Sequence, residues 1–256
     1  MKAANSILRI CFLLLTVLIS VPPLCSIIIR HDRDDALYLE LGRNHRRHIV
    51  HFNLPDGEGA LIAPRWILTA AHVAADVHKG AYVDIAGKIY TVQSRFLHPR
   101  CWQDARCDIA LVQLQNPVRE VPPLPLYRKT DEKGRVVTIL GSGLTGDGTI
   151  GQRTAGDRRL RAAHNRIDSV SPSWIKLVFD SPEEALDLEG VSGFGDSGGP
   201  ALIEEGGQWY VAGVSSVQTF SKPGLFEGKY GVTDYYLRVS SFVPWIENTI
   251  RRHTRR

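Results

Sequence analysis

Gly193-Phe194-Gly195-Asp196-Ser197-Gly198-Gly199-Pro200 is the stretch on which the fold turns. Its glycines let the backbone take turns closed to other residues and bring N–H groups close to a bound carbonyl. A serine in such a loop is a candidate nucleophile, provided that a base and an orienting acid come from elsewhere in the chain. Two other segments supply them. Leu68-Thr69-Ala70-Ala71-His72-Val73 ends a strand-like run with a His behind two small residues, which let the imidazole stand clear. Cys107-Asp108-Ile109-Ala110-Leu111-Val112 opens an apolar strand with a carboxylate, costly to bury unless it is paired and hydrogen-bonded. A lone His beside apolar residues is usually structural; with Asp108 and Ser197 it completes a base, an acid and a nucleophile.

Around these motifs the chain reads as short strands. Runs at 60–63, 66–69, 81–85, 88–92, 109–114, 135–140, 174–179, 209–214 and 234–239 are separated by Gly, Pro and Asp turns, the pattern of an antiparallel sandwich or barrel. The Pro-rich segment 118–125 reads as the connection between two β-rich halves. Helical periodicity is confined to the end, about 241–252, where Phe242, Trp245, Ile246 and Ile250 share a face. The Gly-rich stretch 141–161 reads as a long surface loop.

The chain has 256 residues, 43% hydrophobic and 23% charged, enough to bury one large core or two smaller ones. Disorder, collagen and coiled coil are excluded. The net charge of +4 invites an anionic partner until the charges are placed. Lys2 and Arg9 precede the apolar run 10–19, and Pro22-Pro23 breaks it before Cys25-Ser26, so residues 1–26 read as a signal peptide cleaved after Ser26. The run is too short to span a membrane, so no membrane association is expected once the leader is gone. Loss of Lys2 and Arg9 lowers +4 to +2, and the tail at 251–256 holds Arg251, Arg252, Arg255 and Arg256, which leaves −2 in the body. No nucleic acid is needed to explain that balance. Export points to a secreted or periplasmic protein. It leaves only Cys101 and Cys107, an even pair for a local disulfide and too few ligands for a Cys/His zinc site.

Thr69-Ala70-Ala71-His72, Asp108-Ile109-Ala110-Leu111 and Gly195-Asp196-Ser197-Gly198-Gly199-Pro200 resemble, in that order, the three signature motifs of the trypsin/chymotrypsin family. The resemblance covers about Ile27 to Ile250, and three ordered motifs are highly specific. It implies an all-β fold of two antiparallel six-stranded β-barrels with a C-terminal α-helix. Barrel one spans about 27–121, barrel two about 126–240, and the triad His72, Asp108 and Ser197 lies across their junction. It also implies a serine endopeptidase acting on protein or peptide substrates, with Gly195 and Ser197 N–H groups as oxyanion hole, no cofactor, no metal, and a monomer by default.

By the same matching, Ser216 lies near Asp108 on an edge strand that pairs with substrate backbone. Asp196 forms the activating salt bridge with a new α-amino group, here on Ile27 after leader removal. Val191 stands at the pocket base, where Lys/Arg-cleaving members carry Asp, and Gln218 narrows the entrance, so a small or apolar residue is expected before the scissile bond. The chain lacks the family's usual Val/Ile-Val-Gly-Gly start, and Val73 replaces a usual Cys. The alternative is a catalytically silent relative acting as a binding protein, against which stands the presence of all three triad residues and Gly195. Three other patterns are set aside. Gly141-Ser142-Gly143-Leu144-Thr145-Gly146 mimics a dinucleotide fingerprint but runs into more glycines instead of a helix. Gly195 to Gly199 fits a nucleophile elbow, which would need Asp234 or Glu247 with His253 and alternating helices. His45, His48 and His51, every third residue of what reads as extended chain, cannot share a face and read as solvated.

Overall fold

The computed structural model describes residues 27–53, 56–153, 157–220 and 228–254; residues 1–26, on which the signal-peptide expectation falls, and the last two arginines lie outside them. In chain order the elements begin with β1 (Ile28–Ile29), α1 (Asp35–His45), β2 (Val50–Phe52), β3 (Gly57–Ala63), β4 (Trp66–Thr69) and α2 (Ala71–Ala75). Next come β5 (Tyr82–Ile85), β6 (Lys88–Leu97), β7 (Ala110–Leu114), β8 (Val136–Gly141), β9 (Gly146–Asp147) and β10 (Gly151–Gln152). The chain continues with β11 (Arg161–Val170), β12 (Trp174–Val178), β13 (Gly190–Val191), β14 (Pro200–Glu205), β15 (Gln208–Phe220), β16 (Val232–Arg238) and α3 (Val239–Thr254).

Twelve of these strands close into two barrels, in the orders β2-β3-β4-β7-β6-β5 and β11-β12-β16-β15-β14-β8. Every pairing inside them is antiparallel, as short strands joined by tight turns dictate. Closure removes free strand edges, and alternation sends side chains inward: β12 and β16 alternate buried and half-buried residues, whereas β7 is buried throughout. One apolar cluster fills the first barrel and continues across the junction through Val211, Val214 and Leu237 to Phe242 and Ile246 of α3. A second, around Ile139, Ile175, Leu177 and Ile203, fills the other barrel. The two barrels are thus packed as one body, and a site at their seam is held from both sides.

Two sequence expectations about the first fifty residues are corrected. Residues 27–45 pack on the second half rather than the first: β1 pairs antiparallel with β13 and parallel with β9, and α1 lies against β11. Helix α1 itself was not expected. Asp34 caps it by accepting from Ala36 N at 2.9 Å, and its buried residues Tyr38, Gly42 and His45 fall at helical spacing, but a Gly and a His in that stripe hide it from hydrophobic periodicity. The solvated reading of the histidines fails with it. His45 ends α1 in the interior, 4.6 Å from the Trp209 ring, and His51 on β2 sets its Nδ1 3.0 Å from Ser142 Oγ. Helix α3 extends two residues further at each end than 241–252. Stretch 141–161 is not all loop, since β9 and β10 form a short pair that carries β1.

Candidate active site

Strand β4 ends at Thr69, and the short helix α2 turns His72 outward at the rim of the first barrel. Its backbone N–H donates to Asp108 Oδ1 at 2.8 Å, and its Nδ1 faces Asp108 Oδ2 at 2.7 Å. Asp108 follows a 3-10 turn at Ala105–Cys107 that places the carboxylate just before the apolar strand β7. The Ser216 hydroxyl donates to the same Oδ2 at 2.6 Å. Ser216 reaches it because β15 is bulged: Ser215 pairs with Tyr236 and Val217 with Tyr235, so Ser216 is the extra residue and turns out of the ladder. A carboxylate on Nδ1 keeps the ring proton there and leaves Nε2 free to accept one.

Ser197 comes from the second barrel, in the turn before β14. Gly195 and Gly198 sit at φ of +98° and +83°, a backbone state that strains any residue with a Cβ, so the loop requires glycine at both places. The Ser197 carbonyl accepts from Glu58 N at 2.8 Å, which ties the loop to the first barrel. Among the described residues no acceptor in the protein takes the Gly195 or Ser197 N–H, so both donors remain open. No hydrogen bond joins Ser197 Oγ to His72 among them either. The arrangement is tight on the Asp–His side and open on the His–Ser side, as is common without substrate.

A cavity of about 80 Å³ opens beside Ser197, walled by Ser192, Phe194, Ser216, Val217 and Gln218. Val191 does not reach it. That side chain is fully buried against Ile28, Phe179 and Val232. Gln218 lines it, and behind Gln218 lies Asp234, whose Oδ1 accepts from Gln218 Nε2 at 2.8 Å and which the sequence did not single out as part of this region. Asp234 is fully buried, and burial pushes its carboxyl up to about 6. Asp196 is sealed as well, with Oδ1 accepting from Gly143 N at 2.6 Å and Oδ2 from Gly193 N at 2.7 Å. Burial, with the nearby charge of Glu58, raises its carboxyl well above the usual range.

Glu58 is the second residue missed. It is almost fully buried; its Oε1 accepts from Ser142 N at 2.6 Å and Ser142 Oγ at 2.7 Å, whereas Oε2 has no hydrogen-bond partner among the described residues. His51 approaches Oε1 at 3.4 Å, and although burial opposes its charged form, the Glu58 hydrogen bond and charge raise it overall. These groups and Gly195 line a second cavity of about 230 Å³. The signal for both misses was visible: a carboxylate inside an apolar or glycine-rich strand, the cue that singled out Asp108.

Cys101 and Cys107 are both free thiols, which corrects the expected disulfide. Cys107 ends the 3-10 turn with its side chain in the first core, and Cys101 packs at that core's margin, so each serves as a small apolar filler. Val73, where a half-cystine was expected by resemblance, fills its place against Gly57, so closely that a Cβ on Gly57 would come within 2.6 Å of Val73 Cγ1. In the full chain Ile27 follows Ser26, so its nitrogen is an amide and forms no ion pair with Asp196; its carbonyl accepts from Thr145 Oγ1 at 2.8 Å.

The trypsin family model matches residues 41–246, which contain His72, Asp108 and Ser197. The chain belongs to the trypsin family of serine endopeptidases. Among similar proteins, pig complement C1s subcomponent is 28% identical over 240 residues, covering 80% of this chain and 34% of its own length. Human granzyme M is 30% identical over 170 residues, 58% of this chain and 64% of its own. The chain thus spans about a third of the first relative and just under two thirds of the second. Among the described residues of this trypsin-family chain, no helix is long and apolar enough to cross a membrane.

Proposed function

We propose that this chain is an exported serine endopeptidase. Ser197 Oγ attacks the scissile carbonyl while His72 Nε2 takes its proton; the tetrahedral oxyanion sits on the open N–H groups of Gly195 and Ser197. His72 then gives the proton to the departing amine, leaving an acyl group on Ser197, and water assisted by His72 releases it. Asp108 holds the Nδ1 proton and stabilises the imidazolium, with Ser216 fixing the carboxylate. The reading rests above all on the clamp of Asp108 on the backbone N–H and the ring Nδ1 of His72, which leaves Nε2 facing away from the carboxylate. Residues Ser216 to Gln218 pair with an extended substrate backbone. Nothing in this chemistry calls for a cofactor.

Leader removal after Ser26 frees an α-amino group on Ile27, which turns toward Asp196 and provides the cation that this sealed carboxylate lacks. The preferred substrates carry a small or apolar residue before the scissile bond, not Lys or Arg. The test is to express the full chain in a secreting host, sequence the N-terminus of the product and treat it with a fluorophosphonate. The expected product begins at Ile27 and is labelled, and Ser197→Ala abolishes the label. A folded product starting at Ile27 that is neither labelled nor able to cleave a peptide library overturns the enzymatic reading in favour of a silent binding protein.

A further inference from the structure

Phe194 carries the peptide on which the Gly195 donor depends, because the Phe194 carbonyl and the Gly195 N–H belong to one planar trans unit and point in opposite directions. Leu144 N donates to the Phe194 carbonyl at 2.6 Å, which turns the Gly195 N–H the other way, to the side on which it is open. At the other end of the residue, Phe194 N donates to Gln152 Oε1 at 2.6 Å. The two peptide planes that meet at Phe194 are therefore held by Leu144 and Gln152, from one stretch of chain. Packing does not hold them. Phe194 is 67% exposed, and it stands between Gly193 and Gly195, the residue type whose backbone turns most easily. A turned-over Phe194–Gly195 peptide would put a carbonyl where the oxyanion belongs.

Gln152 is itself well placed to act as an anchor. It ends β10, opposite Gly146 of β9; β9 pairs with Ile28 and Ile29 of β1, and β1 pairs with Gly190 and Val191 of β13. Strand β13 runs directly into Ser192, Gly193 and Phe194. The Gln152–Phe194 bond thus closes the sheet β10-β9-β1-β13 onto the loop that its far edge feeds, and sheet and loop form one ring. Arg153 N donates to the Thr145 carbonyl at 2.8 Å and carries the β9–β10 pairing past Gln152. Gly193 leaves the approach clear: a Cβ there would run into the Leu144 carbonyl and come 3.4 Å from Gln152 Oε1.

We propose that Gln152 is a positioning residue for the oxyanion hole: by accepting from Phe194 N it keeps the Phe194–Gly195 peptide in the orientation that presents the Gly195 N–H to the developing oxyanion. This role rests on the proteolytic reading above and adds to it a residue outside the triad and the donor pair. The bond lies near solvent, where one hydrogen bond shifts an equilibrium between two peptide orientations about tenfold. That is less than the roughly 10²- to 10³-fold cost of deleting an oxyanion donor, because the displaced peptide still returns for part of the time. Gln152 also lines the cavity beside Ser197, so positioning has to be separated from side-chain recognition.

The experiment compares the secreted protein with Gln152→Leu, which keeps the bulk and removes the acceptor. Melting curves establish that the variant is folded, with Gln152→Ala replacing it should it unfold. Active sites are counted by fluorophosphonate labelling before any rate is compared. On peptide amides with Ala or Val before the scissile bond, Gln152→Leu is expected to lower kcat about tenfold for both, with KM little changed, as for an interaction felt only in the transition state. A peptidyl trifluoromethyl ketone gives a readout that loss of packing alone would not move. Ser197 Oγ adds to the ketone carbon, its proton goes to His72 Nε2, and the ketone oxygen becomes an oxyanion in the hole. Followed against pH by the carbon-13 resonance of that carbon, the oxyanion is expected to be about tenfold more basic in Gln152→Leu than in wild type. An unchanged kcat, a loss carried by KM alone, a loss for only one of the two peptides, or an oxyanion that titrates alike in both proteins overturns the proposal. A wild type that takes up no label overturns the enzymatic reading, and this role with it.

Discussion

Asp108 and Asp234 are carboxylates on apolar strands, one from each barrel, and the fold treats them in opposite ways. Asp108 heads β7 at the rim, with a side chain 14% exposed, and it accepts from an imidazole that itself reaches solvent. Asp234 lies inside β16, fully buried, and accepts from an amide side chain and a backbone N–H. Both satisfy the rule that a buried acid needs donors. They differ in what the donor can do, because an imidazole takes and returns protons near neutral pH and an amide does not. The first barrel therefore offers a carboxylate paired with a group able to move protons, and the second a carboxylate held by neutral donors.

That contrast can be broken most decisively at Asp108. Asp108→Asn keeps the shape but lets Nε2 carry the proton, so peptide turnover is expected to fall about 10⁴-fold while the melting temperature stays near that of wild type. A fall of less than tenfold would put the two aspartates on the same footing. Three residues beyond Asp108, the buried Leu111 of β7 measures packing without chemistry: Leu111→Ala is expected to cost about 2–5 kcal/mol in urea unfolding.

Asp234 has its own signature in pH. Its carboxyl is raised to about 6, so between the ordinary carboxylate range and pH 6 the folded state holds a proton that the unfolded state has released. Stability therefore falls as pH climbs from about 4 to about 6, by up to ~3 kcal/mol, and is flat above. In the chain before leader removal Asp196, raised by burial and Glu58, adds in the same sense. Urea midpoints across that range should show the slope, and Asp234→Asn should remove its share; an unchanged slope would mean that Asp234 is not a buried acid.

Smaller effects sharpen the picture. Ser216→Ala deletes one of three bonds to Asp108 and is expected to lower turnover about tenfold, with KM little changed. Glu58→Gln removes a charge with an orphan oxygen beside Asp196, and is expected to stabilise the protein by about 1 kcal/mol, a rise of about 2–4 °C in Tm. A fall in Tm instead would mean that the Glu58 charge is needed by His51.

The two β-rich halves, the terminal helix and the residues His72, Asp108, Ser197 and Gly195 were legible because each rests on a local requirement. Glycine must stand where φ is positive, small residues where a side chain must clear a strand end, and alternation wherever a strand has one wet face. The remainder was not local. Glu58 meets Ser142 across 84 residues and Gln218 meets Asp234 across 16, and nothing in either segment names its partner. Helix α1 was hidden because its buried stripe includes Gly42 and His45. An even count of cysteines suggested a bond, but both thiols are taken up by packing.

By itself, the order of residues determined the fold class, the family and which residues are candidates for nucleophile, base and acid, because backbone conformation and strand patterning act over a few neighbouring positions. Only the tertiary structure decided which carboxylates are sealed and what faces them, that Val191 turns into the core, and that the bulge at Ser216 aims a hydroxyl at Asp108. Burial and pairing are properties of strands brought together by barrel closure, and charges acquire their energies there.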